Sequence, residues 1–142
     1  MLRWCGATVG KNVRIDSCAT ICGNGSLTIG DNVWIGAHTF IYAAGQTGVE
    51  ICKDVDVGPA VVICNGTHEV DSAGAKIAGR GATRAIKIGE GSWLGVRSVI
   101  LPGVTLAPRT LVAAGAVVAK SNERERTLLA GVPAKEVKSY VA

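Results

Sequence analysis

Aliphatic side chains return at every sixth residue along almost the whole chain. The beat is carried by Val9, Ile15 and Ile21, by Ile29, Ile35 and Ile41, by Ile51, Val57 and Ile63, and then by Ile88, Leu94, Ile100, Leu106, Val112 and Val118. Four residues after each beat stands a small or β-branched residue (Val13, Ala19, Val33, Thr39, Val55, Val61, Thr67, Ser92, Ser98, Val104, Thr110, Ala116), with Gly25, Gly45 and Asn122 as the exceptions. A helix needs an apolar period near 3.6 and is weakened by this density of Gly and Val. A six-residue unit with one aliphatic and one small inward position instead specifies a short strand and a turn, with three units closing a triangular coil. The expected fold is therefore all-β, a parallel β-helix of about five coils, on the order of 24 Å long at about 4.8 Å per stacked strand.

The register also shows where the repeat is interrupted. Extra residues follow positions 26, 46 and 68, numbering two, four and 19, and each insertion comes after the third face of its coil. All three are thus expected to leave the prism at one corner. The longest, 69–87, is expected to protrude as a loop that begins right after His68, the last strand position of the third coil, whose side chain faces outward. Residues 123–142 run on beyond the last hexad as a short C-terminal segment. The whole of 1–142 reads as a single hexapeptide-repeat domain.

Composition narrows the function classes. Apolar residues make up 48% of the chain, aromatics only 4%, and 19 glycines are spread along it, which suits a core of small aliphatic side chains with frequent tight turns. The net charge of +4 is dispersed, with no basic run interleaved with aromatics, so nucleic-acid binding is not expected. No apolar run reaches the roughly 18 residues of a membrane span, and the start "MLRWCGATVG" lacks the apolar segment of a signal peptide, so a cytoplasmic location is expected. Cys5, Cys18, Cys22, Cys52 and Cys64 are odd in number and form no CxxC pair. They read as small core residues in a reducing compartment, with no disulfide framework or metal site expected.

The stretches "LTIGDNVWIGAHTFI", "NGTHEVD", "IKIGEGSWLGVRSVILPGVTLAPRTLVAAGAVVAKS" and "LAGVPAKEVKSY", in that order, resemble the hexapeptide-repeat acyltransferases. The resemblance covers nearly the whole chain. It lies closest to the branch that acetylates sugars, the maltose and galactoside acetyltransferases and the capsule or colanic-acid O-acetyltransferases. It implies a left-handed coil, acetyl-coenzyme A as acyl donor, and a homotrimer with its sites between subunits.

Transfer of an acetyl group from a thioester to a hydroxyl needs a base for the hydroxyl proton and a donor for the oxyanion, and a neutral imidazole supplies the first at physiological pH. In the family the histidine at the root of the long loop is that base, which here is His68. The carboxylates nearest to it, Glu69 and Asp71, are candidates to orient its ring, and a backbone carbonyl would serve equally. By position in the family, Trp93 would wall the thiol end of the cofactor, the Val96 amide would face the thioester carbonyl, and the Ala114 backbone would bind the pantetheine arm. Lys120 and Lys135 would stand beside the nucleotide phosphates. Gly36 and Ala44 occupy the places where the galactoside branch holds its sugar with an Asn and an Asp, so that acceptor pocket is not reproduced.

Outward Trp34, Phe40 and Trp93 give the prism apolar sides suited to packing against other subunits, and the loop would close a site shared with a neighbour. His38, in "IGAHTF", reads as a solvated outward residue. Cys64 sits at a turn position rather than as an acyl-accepting nucleophile. The expected activity is O-acetylation of a sugar or glycan precursor, with N- or O-acetylation of an amino sugar, serine or an antibiotic as the alternative. A non-catalytic scaffold would have no need of the His-rooted loop, and a carbonic anhydrase on the same prism would need three metal-binding histidines where this chain has two.

Overall fold

A computed structural model of the chain describes residues 6–140, so Cys5 lies outside the described residues. Nineteen strands and no helix are found among them. The chain winds through three parallel sheets that form the sides of a triangular prism. Face A stacks Thr8–Val9, Leu27–Ile29, Val49–Ile51, Ile86–Ile88 and Thr105–Leu106. Face B stacks Arg14–Ile15, Trp34–Ile35, Asp56–Val57, Trp93–Leu94 and Leu111–Val112, and continues into Thr127–Gly131. Face C stacks Thr20–Cys22, Phe40–Tyr42, Val62–Cys64, Val99–Ile100 and Val117–Val118.

The six-residue beat is the inward position of each strand. Ile35, Ile41, Ile51, Val57, Ile63, Ile88, Leu94, Ile100, Val112 and Val118 are fully buried, and the small positions Val33, Thr39, Val55, Val61, Ser98 and Thr110 share that interior with them. No aromatic side chain enters this core among the described residues. Three inward side chains per layer leave no room for a ring. Gly follows so many beats for the same reason of space: a Cβ at Gly36 would stand 2.8 Å from the Pro59 nitrogen, and one at Gly89 would stand 2.5 Å from the Leu106 carbonyl oxygen.

Three features depart from the expected register. Where an insertion intervenes, the inward place is taken by the residue two before the next beat, so Leu27, Val49 and Ile86 are buried while Gly25, Gly45 and Thr67 are not core residues. The long excursion spans 66–83 rather than 69–87, because Ile86 and Lys87 already belong to a face A strand. It is no open loop: Gly66–Val70 pairs antiparallel with Ala78–Thr83 as a hairpin. The C-terminal segment is also ordered. Thr127–Gly131 pairs parallel with Leu111–Val112 and begins a sixth coil beyond the expected five, and Ala134–Ser139 folds back antiparallel upon it.

Asn122, an exception to the inward rule, explains why that sixth coil has no face A strand. Its Oδ1 accepts from the Ala107 amide (3.1 Å), and the neighbouring Ser121 Oγ accepts from the Thr105 amide (2.8 Å), so side chains occupy donors that a further strand would otherwise engage. The four cysteines among the described residues are not core residues, contrary to the sequence expectation. Cys18 and Cys22 are exposed and Cys52 and Cys64 half-buried, because Cys22, Cys52 and Cys64 each follow an inward beat and so point away from the axis. Burial and the adjacent Glu50 carboxylate push the Cys52 thiol up.

Candidate active site

All three insertions leave at the corner between faces C and A, and the third carries His68. The corner is built by Asn65, which is completely buried. Its Oδ1 accepts from the Ala44 amide (2.7 Å), and its Nδ2 donates to the Ala44 carbonyl (2.9 Å), Thr47 Oγ1 (3.3 Å) and the Gly48 carbonyl (3.4 Å). Its own carbonyl accepts from the Arg84 amide (2.9 Å) at the far end of the hairpin. One side chain thus ties the second-coil corner to the departure point, while its backbone ties departure to return. Sequence reading missed Asn65. The signal was a carboxamide at the point where the longest insertion leaves, a place where backbone groups lose their ladder partners.

Three residues further on, His68 lies within the first arm of the hairpin rather than at the end of the coil, and it is exposed. Its Nδ1 stands 2.9 Å from the Gly79 carbonyl oxygen on the returning arm. A carbonyl can only accept, so Nδ1 carries the proton, and the Nε2 of the neutral ring keeps its lone pair. The orienting partner is therefore a backbone carbonyl. Asp71 does not serve, since its Oδ1 accepts from the Ala73 and Gly74 amides (3.0 and 2.8 Å) and folds the hairpin tip. Glu69 is exposed, and the alternation of the strand turns it to the opposite side of the hairpin from His68.

Beneath His68 the hairpin and the second coil enclose a cleft of about 400 Å³, with Tyr42, Ala44, Gly66, Gly81 and Thr83 among the residues around it. Ala44 is thus close to the histidine, whereas Gly36 is buried at the corner between faces B and C. His38 stands at that corner too, exposed, with a left-handed backbone (φ 58°), so the two histidines do not share a site.

The remaining predicted residues fall into two groups. Trp93, 56% exposed, projects from face B, and Val96 and Ala114 lie one above the other at the corner between faces B and C, where the Gly115 amide donates to the Val96 carbonyl (2.9 Å). Lys135 lies in the terminal strand of face B, paired with Ala130. Lys120 instead follows face C, at the His68 corner two coils higher, and borders a cleft of about 510 Å³ with Asn122, Arg124 and Glu136. Face B is the side of the prism opposite the corner that carries His68. One chain by itself therefore does not bring His68 and Trp93 together.

The outer surfaces differ in the same sense. Face A carries the row Thr28, Glu50, Lys87 and Thr105, with a Lys87–Glu50 ion pair at 3.1 Å. Face C carries Phe40, Val62, Val99 and Val117 in one row, and face B carries Trp34, Trp93 and Leu111, interrupted by Asp56.

The profile of the bacterial transferase hexapeptide (six repeats) matches residues 85–120, and that of the hexapeptide repeat of succinyl-transferase matches residues 26–67, together more than half of the chain. The chain belongs to the hexapeptide-repeat transferases. Among relatives, WcaF of Escherichia coli (strain K12), provisionally named a colanic acid biosynthesis acetyltransferase, is 35% identical over 121 residues. That alignment takes in 85% of this chain and 63% of WcaF, so the chain spans less than two thirds of its relative. Two solved structures superpose closely. AntD, an N-acyltransferase from Bacillus cereus in complex with dTDP and 3-hydroxybutyryl-CoA, matches with a TM-score of 0.80 at 22% identity, covering 94% of this chain and 72% of AntD. The acetyltransferase VCA0836 from Vibrio cholerae O1 biovar eltor, in complex with acetyl-coenzyme A, matches with a TM-score of 0.70 at 24% identity, covering 96% and 69%. These matches confirm the parallel β-helix.

Proposed function

We propose that the protein is an acetyl-coenzyme A-dependent O-acetyltransferase whose acceptor is a hydroxyl of a sugar or glycan precursor, with His68 as general base. The observation that carries the reading is the Nδ1–H···O=C bond from His68 to Gly79, which leaves Nε2 free to accept a proton at the mouth of a cleft. In the proposed reaction Nε2 takes the acceptor proton as the hydroxyl oxygen attacks the thioester carbonyl. The tetrahedral oxyanion collapses, the C–S bond breaks, and the departing thiolate takes the proton back from the imidazolium. No acyl-enzyme is formed. The Val96 N–H has no hydrogen-bond partner within the described chain and suits the thioester or oxyanion oxygen. Trp93, Ala114, Lys120 and Lys135 are proposed to line the donor's path.

The donor is supported by the 3-hydroxybutyryl-CoA and acetyl-coenzyme A bound in AntD and VCA0836, and a glycan acceptor by the name of WcaF. A site between chains is supported by the division of residues just described: His68 on one corner, Trp93 on the opposite face. A homotrimer packed through the apolar faces B and C, with the polar face A outward, unites the two groups and covers the aromatic surface.

Free-thiol release from acetyl-coenzyme A in the presence of candidate acceptors tests the activity, with amino sugars included beside hydroxyl sugars. The shared site is tested by complementation. His68→Ala and Trp93→Ala chains, each impaired alone, should recover part of the activity when co-expressed, because some sites then combine an intact His68 with an intact Trp93. Full activity in a monomer would refute the shared site.

A further inference from the structure

We infer that the cleft between Tyr42 and the His68 hairpin is the acceptor subsite and that it selects a reacting ring without charge, an inference that rests on the proposed acetyl transfer. His68 and Gly81 stand directly opposite each other in the antiparallel pair, so a side chain at either position projects to the same side of the hairpin. At Gly81 there is none, and a Cβ placed there would meet nothing within 4 Å. The space beside the base is therefore open, and a long side chain at position 81 would enter it. The opposite wall is the half-buried Tyr42, whose outward row on face C runs between Cys22 and Cys64. A Cβ at Gly66 would stand 3.0 Å from Tyr42 Cε1, so the ring is seated against bare backbone. The cleft is thus lined by an aromatic ring and by the bare backbone of Gly66 and Gly81. That lining suits a saturated ring whose C–H-rich face lies on the phenol while one hydroxyl meets Nε2.

The lining contains no carboxylate, lysine or arginine; His68 and Tyr42 are its only titratable groups. A charged substituent on the reacting ring would shed water there without gaining a partner, a cost the neutral ring does not bear. Discrimination of this kind, an unpaired polar group against a matched one, is steeper than discrimination by size alone.

The test uses three methyl pyranosides that share their remaining ring hydroxyls and differ in one substituent, a neutral hexose, its 2-amino analogue and its uronic acid, with thiol release from acetyl-coenzyme A as the readout. The neutral member should be turned over with a kcat/KM at least about tenfold above both others. Gly81→Leu should raise the KM for the neutral ring at least about tenfold while the KM for acetyl-coenzyme A stays unchanged. Tyr42→Ala should raise the acceptor KM at least about tenfold, and Tyr42→Phe, which keeps the ring, should raise it less. Should Gly81→Leu fold poorly, Tyr42→Ala against Tyr42→Phe decides the same question. Turnover of the charged members alone, of none of the three, or a wild-type acceptor KM in both Gly81→Leu and Tyr42→Ala would overturn the inference. Acceptor-independent hydrolysis of acetyl-coenzyme A, compared between wild type and His68→Ala, reports on the general base alone and so separates failure of the subsite from failure of the reaction.

Discussion

The prism and the hairpin are built from opposite materials. In the prism each inward side chain sees the same surroundings as its counterparts one coil away, and Ile35, Ile63 and Ile100 are interchangeable in environment though far apart in sequence. In the hairpin 66–83 no residue is fully buried, and its order comes from antiparallel pairing, the Asp71 turn and the Asn65 anchor beneath it. Stability and chemistry therefore occupy separate stretches of one short chain. A side chain can be removed from the hairpin without opening a cavity, and one removed from the core does not touch the base.

Substitutions sharpen or break this division in a graded series. His68→Ala should lower kcat by roughly 10² to 10⁴, the usual loss for a general base, with the melting temperature unchanged. A fall in stability comparable to the fall in activity would mean that the hairpin is part of the fold's support. Ile63→Ala is the mirror experiment. It should cost about 2–5 kcal/mol of stability in a denaturant titration, while the protein that remains folded turns over normally.

Asn65→Ala lies on the boundary between the two regions and should affect both. Leaving the Ala44 amide and carbonyl unpaired costs about 1–3 kcal/mol, and the loosened hairpin root should lower kcat as well. Loss of one property without the other would remove Asn65 as the link. At the small end, Asp71→Ala should reduce stability by less than about 1 kcal/mol and leave the pH profile of kcat unchanged, since Gly79 rather than Asp71 holds the ring. Cys64→Ser should match wild type in turnover, and trapping of an acetylated Cys64 would contradict direct transfer.

The same division explains what the sequence disclosed. A beat repeated every six residues is a strong signal because each instance supports the others, and all three insertions were legible as breaks in it. Their conformation was not. "GTHEV" and "AGRGAT" carry no apolar alternation, so the pairing that brings Gly79 to His68 left no pattern to read, and the nearest carboxylates stood out instead. Leu27, Val49 and Ile86 were hidden for a related reason: an insertion moves the inward place away from the count of four. Trp93 was recognisable as an outward residue, but it stands on the face opposite the corner that carries His68, and any packing of one chain on another that joins the two leaves no pattern in the spacing.

The C-terminal end of the prism bears on how these molecules behave at high concentration. A stack of parallel coils has no intrinsic length, and its last sheets offer rows of unsatisfied donors and acceptors on which another copy could continue the winding, the geometry of fibre growth. Here face A finishes with donors already taken by Ser121 and Asn122, and face B finishes with a strand of reversed direction bearing Lys135, Glu136 and Lys138. A copy approaching in the parallel sense would meet occupied amides on one side and an antiparallel, charged edge on the other. This end of the prism is thus capped by residues 121–139, and their removal should turn a discrete particle into one prone to end-to-end association, visible as concentration-dependent growth in light scattering.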